Sequence, residues 1–288
     1  MNIDLPKKYK LINNNLSLTI KNTQIGNIII IDNFLKYPNI YYNFFKKNYK
    51  NSFINNDKNY PGCRFDLNHV LKNEFDSFIN DYIKNIYFTQ KTYIINSKYN
   101  LSITNKKNEE LRFSNCLPHH HYFYLNNLFK ANGISLCLYL FDGNHKSYGT
   151  YFYKEKFNLS KIIKKRINYI NNIPILNDDL FIKNNIYNIK INYLKNILLN
   201  PRYNSDTKEY FYEKIYSTKA KFNRCILFSR NMYHDIGVNH YYYNNYEDMY
   251  KDRFTITGNI AYNVLTPITE NDHYYINNFT KNKFKLCF

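Results

Sequence analysis

Leu117-Pro118-His119-His120-His121-Tyr122 sets three imidazoles side by side. In an extended segment successive side chains point to opposite faces, so His119 and His121 share one side and His120 takes the other. Two imidazoles two residues apart on one face make half of a metal site, and a third ligand must come from elsewhere in the chain. His234 is the best placed, in Phe228-Ser229-Arg230-Asn231-Met232-Tyr233-His234-Asp235, directly after the apolar run at 223–228. His145 sits in the turn-like Phe141-Asp142-Gly143-Asn144-His145, which suits a solvated role, and His240 and His273 lie in polar, tyrosine-rich stretches.

Around this cluster the chain reads as short strands. Runs at 91–97, 111–116, 133–141, 149–154, 222–229 and 253–263 are too short for helices and rich in β-branched and aromatic residues. The earliest clear strand is 26–32, with Ile28, Ile29, Ile30 and Ile31 in succession. Helical spacing is expected over 34–50, capped by Asn33 and striped by Phe34, Ile40, Tyr41, Phe44 and Phe45. It returns over 71–86 with Phe75, Phe78, Ile79, Tyr82 and Ile83, and Tyr60-Pro61-Gly62 marks a turn between the two. The Lys/Asn-rich stretch 157–221, with a helix expected near 159–170, reads as an insertion or lid, because strands of similar character resume after it. The expectation is one domain over 1–288 with a core at about 26–264: α+β, mainly β, a barrel flanked by N-terminal helices.

Composition bounds the partners less than it first suggests. The 288 residues carry 40 Lys+Arg against 22 Asp+Glu, a net charge of +18, and this balance invites a polyanion-binding reading. Asn, Lys, Ile and Tyr are also the residues of A- and T-rich codons, so the basic balance has a compositional source as well. Only seven glycines and seven prolines exclude collagen-like and Gly/Pro-rich disordered classes. Cys63, Cys116, Cys137, Cys225 and Cys287 are scattered, with no CxxC pair, and read as thiols of a reducing compartment rather than a disulfide framework. The first residues lack an apolar secretory core, and no run approaches the ~18 apolar residues of a spanning helix. The expected setting is intracellular, cytoplasmic by default, with no membrane partner.

The order of motifs resembles the Fe(II)/2-oxoglutarate-dependent oxygenases, in particular a small branch related to prolyl hydroxylases. The resemblance runs through Ile31-Asp32-Asn33-Phe34 with Pro38, Tyr60-Pro61-Gly62-Cys63-Arg64, Pro118-His119-His120-His121, Tyr139-Leu140-Phe141-Asp142-Gly143 and Gly149-Thr150-Tyr151-Phe152-Tyr153. It continues through Phe222-Asn223-Arg224-Cys225-Ile226-Leu227-Phe228, then His234 and Asp252-Arg253-Phe254-Thr255, and covers roughly 28–263. What it implies is a double-stranded β-helix, or jelly-roll, with metal and cosubstrate at its open end. In that family two histidines and a carboxylate hold Fe(II), leaving positions for 2-oxoglutarate and oxygen. The cosubstrate is decarboxylated to succinate while an unactivated C–H bond is hydroxylated. The metal set implied here is His119, His121 and His234. Arg253, nineteen residues after His234, holds the place of the arginine that grips the far carboxylate of 2-oxoglutarate. Thr255 alternates to the same strand face and can add a hydroxyl, and Tyr139 joins them as a pocket-lining candidate.

The chain departs from the family at the carboxylate, for His121 stands where Asp or Glu is expected, and no acid occurs from Leu111 through Phe141. Three readings follow: a three-histidine Fe(II) site, a site for another divalent metal such as Zn, Ni or Cu, or a barrel that has lost the chemistry. Asp235 is poorly placed to substitute, because neighbouring strand residues face opposite sides. The alternative from another class is a non-enzymatic basic module for nucleic acid or another polyanion, supported by the charge and the 54 tyrosines and phenylalanines, 32 and 22 respectively. The primary substrate, whether protein, nucleic acid or small molecule, is left open.

Overall fold

The computed structural model describes residues 2–4, 9–48, 62–104, 123–125, 129–141, 149–155, 212–235 and 253–267. In chain order the elements are β1 (Asn2–Asp4), β2 (Asn15–Thr23), β3 (Gly26–Asp32), α1 (Pro38–Asn48), β4 (Gly62–Asp66) and α2 (Asn68–Phe78). A π-helical turn, Ile79–Ile83, carries α2 into α3 (Lys84–Tyr87). The rest is strand: β5 (Ile94–Thr104), β6 (Phe123–Leu125), β7 (Phe129–Tyr139), β8 (Gly149–Glu155), β9 (Tyr212–Lys219), β10 (Arg224–Ser229), β11 (Tyr233–Asp235) and β12 (Arg253–Pro267). The protein is therefore mainly β, and its described strands form two sheets. The larger runs β1-β2-β3-β10-β7-β12-β5-β4, with β6 paired to β7; the smaller runs β11-β8-β9. Every pairing is antiparallel.

The middle of the large sheet is buried on both faces, which explains strands such as β3 and β10 that read as unbroken apolar runs. On one face Ile29 and Ile31 of β3, Leu136 and Leu138 of β7, Cys225 and Leu227 of β10, and Phe254 and Ile256 of β12 join Leu71, Phe75, Phe78, Ile79 and Ile83 of the α2–α3 helix. On the other face Ile28, Ile226, Phe228 and Tyr139 meet Phe152 of the small sheet, with Met232 and Ala220. The molecule is thus layered helix on large sheet on small sheet, with a separate apolar cluster at each interface. Each fully buried Ile or Phe contributes about 1.5–3 kcal/mol relative to exposure, so the helix-side cluster is the main source of stability.

Acids on the helical segment fasten neighbouring chain. Glu74 accepts from the backbone N–H of Leu11 and Ile12 (2.5 and 2.9 Å), and Asp81 accepts from the Tyr9 hydroxyl (2.7 Å). Asp76 accepts from the Tyr99 and Ser97 hydroxyls of β5 (2.7 and 2.8 Å). Burial raises the pKa of the Tyr99 hydroxyl, and the Asp76 charge beside it raises it further.

Several element boundaries differ from the sequence reading. The first helix starts at Pro38 rather than residue 34, because Asn33 takes a left-handed backbone (φ 55°) and Phe34 and Leu35 turn into the core. Gly62 opens β4 instead of closing a turn, and β5 extends to Thr104, well past residue 97. The last part of the stretch expected as an insertion is β9, an integral strand of the small sheet. The strand expected at 111–116 and the helix expected at 159–170 lie outside the described residues. Among the described residues no helix is long and apolar enough to cross a membrane.

Candidate functional site

The face of the large sheet opposite the helices changes character across its width. It is hydrocarbon on β3 and β10 but hydroxyl and amide on β7, β12 and β5. Directly opposed residues of antiparallel strands share a face, and the register sets out rows: Ser102, Thr255 and Tyr139; then Asn100, Thr257 and Cys137; then Asn259 and Ser135. Ser102, Thr255, Ser135 and Asn100 are buried. Buried polar groups need partners, and these find them locally. The Ser102 and Thr257 hydroxyls lie 3.2 Å apart, Ser135 donates to Asn259 Oδ1 (3.4 Å), and Thr255 Oγ1 donates to the Ser102 carbonyl (3.5 Å). A few convergent polar groups on an otherwise apolar interior are the usual floor of a ligand site.

His234 comes to this inner space from the small sheet. It is the middle residue of β11, directly opposite Phe152 of β8, and it is buried. Its ring meets Phe228 edge-on at 4.6 Å. Its Nδ1 lies 2.9 Å from the Met232 carbonyl oxygen. A carbonyl can only accept, so Nδ1 carries the proton and donates, and in the neutral ring this leaves the lone pair on Nε2. Metal-binding histidines are commonly oriented in this way by a backbone carbonyl.

The other expected site residues stand as follows. Thr255 and Tyr139 are brought together as register partners on β12 and β7. The Tyr139 hydroxyl is shared with Thr150 Oγ1 of β8 (2.6 Å) and Thr218 Oγ1 of β9 (3.2 Å), so this buried ring ties the large sheet to the small one. Arg253 is the first residue of β12, opposite Thr104. Asp235, one residue beyond His234, accepts from the Tyr153 hydroxyl (2.9 Å). His119 and His121 lie outside the described residues. Among the described residues no group of three or more His, Cys, Asp or Glu is gathered to hold a metal ion, and His234 is the one member of the expected set whose geometry is on view.

A family model described as a family of unknown function (DUF6445) matches residues 16–171, more than half of the chain. The chain belongs to the DUF6445 family. The matched part of this DUF6445 protein includes His119, His121 and Tyr139 and ends before β9, so His234, Arg253 and Thr255 come from the remainder. No curated protein and no solved structure matches it.

Two further motif segments of this DUF6445 protein build the frame rather than the site. Arg224 of Phe222-Asn223-Arg224 holds Asp32 of Ile31-Asp32-Asn33-Phe34 through Nε to Oδ1 (2.7 Å) and a second N–H to Oδ2 (3.1 Å). That guanidinium holds the Asp32 carboxyl below its ordinary pKa. Asn223, in the left-handed region (φ 61°), clamps Leu35 from both sides: its Oδ1 accepts from Leu35 N–H and its Nδ2 donates to the Leu35 carbonyl, both at 2.8 Å. One functional candidate had no sequence signal. Arg230, in the turn between β10 and β11, is buried, and nothing in its spacing separates it from the other basic residues of a +18 chain.

Proposed function

We propose that this DUF6445 protein is a hydroxylase-type oxygenase dependent on Fe(II) and 2-oxoglutarate, built on a double-stranded β-helix, with a three-histidine metal site of His119, His121 and His234. The observation that carries the reading is the His234 ring, buried on the inner face, with Nδ1 held by the Met232 carbonyl as ligation through Nε2 would need. The path of the chain supports the barrel: from β7 it crosses to the small sheet for β8 and β9, returns for β10, crosses for β11 and returns for β12. Strands that alternate between two facing antiparallel sheets are the signature of a jelly-roll.

Iron bound there would supply oxygen activation coupled to decarboxylation of 2-oxoglutarate. His234 would offer Nε2 as a ligand while Phe228 and Phe152 keep water from its flank. Arg253 would take the far carboxylate of the cosubstrate in a two-pronged hydrogen bond, and Thr255 would add a hydroxyl on the polar floor. Replacing the usual carboxylate by His121 leaves the metal site one unit more positive, which favours an anionic cosubstrate as the counter-charge.

The test is anaerobic purification, metal quantification, and succinate release from 2-oxoglutarate with Fe(II) and oxygen. The expected result is stoichiometric iron with 2-oxoglutarate turnover. His234→Ala should lose metal and turnover together, while Arg253→Ala should raise the cosubstrate KM by about 10-fold or more, the loss of one charge-assisted bond pair. A chain that takes up neither iron nor 2-oxoglutarate would sink the proposal, and stoichiometric zinc, nickel or copper would replace its metal.

A further inference from the structure

Arg230 stands out from the other buried charges. Its exposure is 6%, its Nε is buried without a hydrogen-bond partner, and among the described residues its side chain makes no ion pair. Arg224, six residues earlier, shows the ordinary solution, a guanidinium closed on the carboxylate of Asp32. Burial pushes the Arg230 pKa down to about 10, which leaves it a cation at neutral pH. An unpaired buried charge is costly, and folded proteins keep such a charge where something else completes it.

The fold keeps it in place deliberately. Arg230 N–H donates to the Gly133 carbonyl (3.0 Å), and the Arg230 stem lies over Gly133: a Cβ built there would come within 2.6 Å of Arg230 Cδ and 2.0 Å of the Ile260 carbonyl oxygen. Gly133 alternates with Ile134, which enters the helix-side cluster, so the Arg230 stem runs along the inner face beside the Ser135 and Asn259 row. Gly133 is opposite Ala261 of β12, eight residues beyond Arg253, or about 26 Å of strand. One carboxylate cannot serve both arginines.

We infer that Arg230 is a carboxylate-binding residue at the His234 end of the inner face, and that the primary substrate carries the carboxylate it receives. The second half rests on the oxygenase reading; the first does not. A single guanidinium balances one carboxylate in charge and matches it in its planar, two-pronged geometry.

The test is thermal unfolding of the full chain in acetate, against inorganic phosphate at matched ionic strength, with neither iron nor 2-oxoglutarate present. Acetate should raise Tm saturably by a few degrees in the wild type and in Arg253→Met. Arg230→Met added to the Arg253→Met chain, where Arg253 can hold no acetate of its own, should lose that response and, without acetate, unfold no lower than Arg253→Met, since a merely structural arginine would leave it weaker in both buffers. The inference is overturned if Arg253→Met does not respond to acetate, if Arg230→Met added to it keeps the response, or if phosphate alone produces it. Should Arg230→Met fail to fold, acetate titration of the ¹⁵N-labelled wild type decides, with the Arg230 Nε–H resonance assigned from Arg230→Lys: the signal must shift, and an unmoved signal overturns the inference. Failure to bind iron or 2-oxoglutarate would remove the oxygenase reading and leave these readouts unchanged.

Discussion

Asn223 shows how much a single side chain can fix when its backbone is already unusual. Its left-handed φ of 61° brings the carboxamide onto both polar groups of Leu35, 188 residues away in sequence. Asn223→Gly keeps that backbone available but leaves the Leu35 N–H and carbonyl without their partner, which should lower stability by about 2–4 kcal/mol in chemical denaturation. Asn223→Ala should lose about 1 kcal/mol more, because a Cβ resists the left-handed region. If the two variants match, the backbone conformation contributes nothing. His234 and Arg230 make the complementary point about what a sequence discloses. His234 follows directly on an apolar strand, and the structure buries it on the inner face. Arg230 was not legible, because its distinction is burial without a partner, a property conferred by Gly133 and β12 and absent from its own neighbourhood in the chain.

Between β3 and β10 the Asp32–Arg224 pair closes one end of the ladder, with Lys221 adding a contact from Nζ to Asp32 Oδ2 at 3.2 Å. Asp32 has its pKa lowered, chiefly by the hydrogen bond from Arg224. Its contribution is therefore complete above the unfolded carboxyl's pKa, about 3.9, and is lost as pH falls through the lower folded value. Asp32→Asn should be less stable at neutral pH by about 1–2 kcal/mol, with the gap to the wild type narrowing below about pH 4. A gap independent of pH would assign the loss to packing. The same strands show which elements sequence patterns disclose. β3 and β10 are apolar on both faces and stand out as continuous runs. β5 does not, because Asn100 and Ser102 alternate with Tyr99 and Leu101, and only its pairing with β12 makes that polar face part of the interior. β9 was hidden for a similar reason: Glu213, Lys214 and Lys219 make it look like solvated sequence, whereas Tyr212 and Thr218 are buried.

For the whole molecule, sheet order sets the smallest piece that can stand alone. β12 lies between β5 and β7, and β10 lies between β3 and β7. A fragment limited to residues 16–171 would hold β3, β5 and β7 with no strand to join them. It should therefore show no cooperative unfolding transition and should aggregate through its open edges. A sharp calorimetric transition from that fragment would contradict the sheet order. Intact protein should exchange its amides slowest along β7, β10 and β12, the middle strands of the large sheet. The same sheet order has a consequence for synthesis. Ser102 waits 153 residues for Thr255, so on the ribosome all the earlier strands emerge before the large sheet can be joined across the middle. Contacts this distant in sequence make for slow folding, and the growing chain must pass through a long interval with a half-built interior exposed. Synthesis of β12 decides whether the earlier strands become one sheet or find partners in another chain.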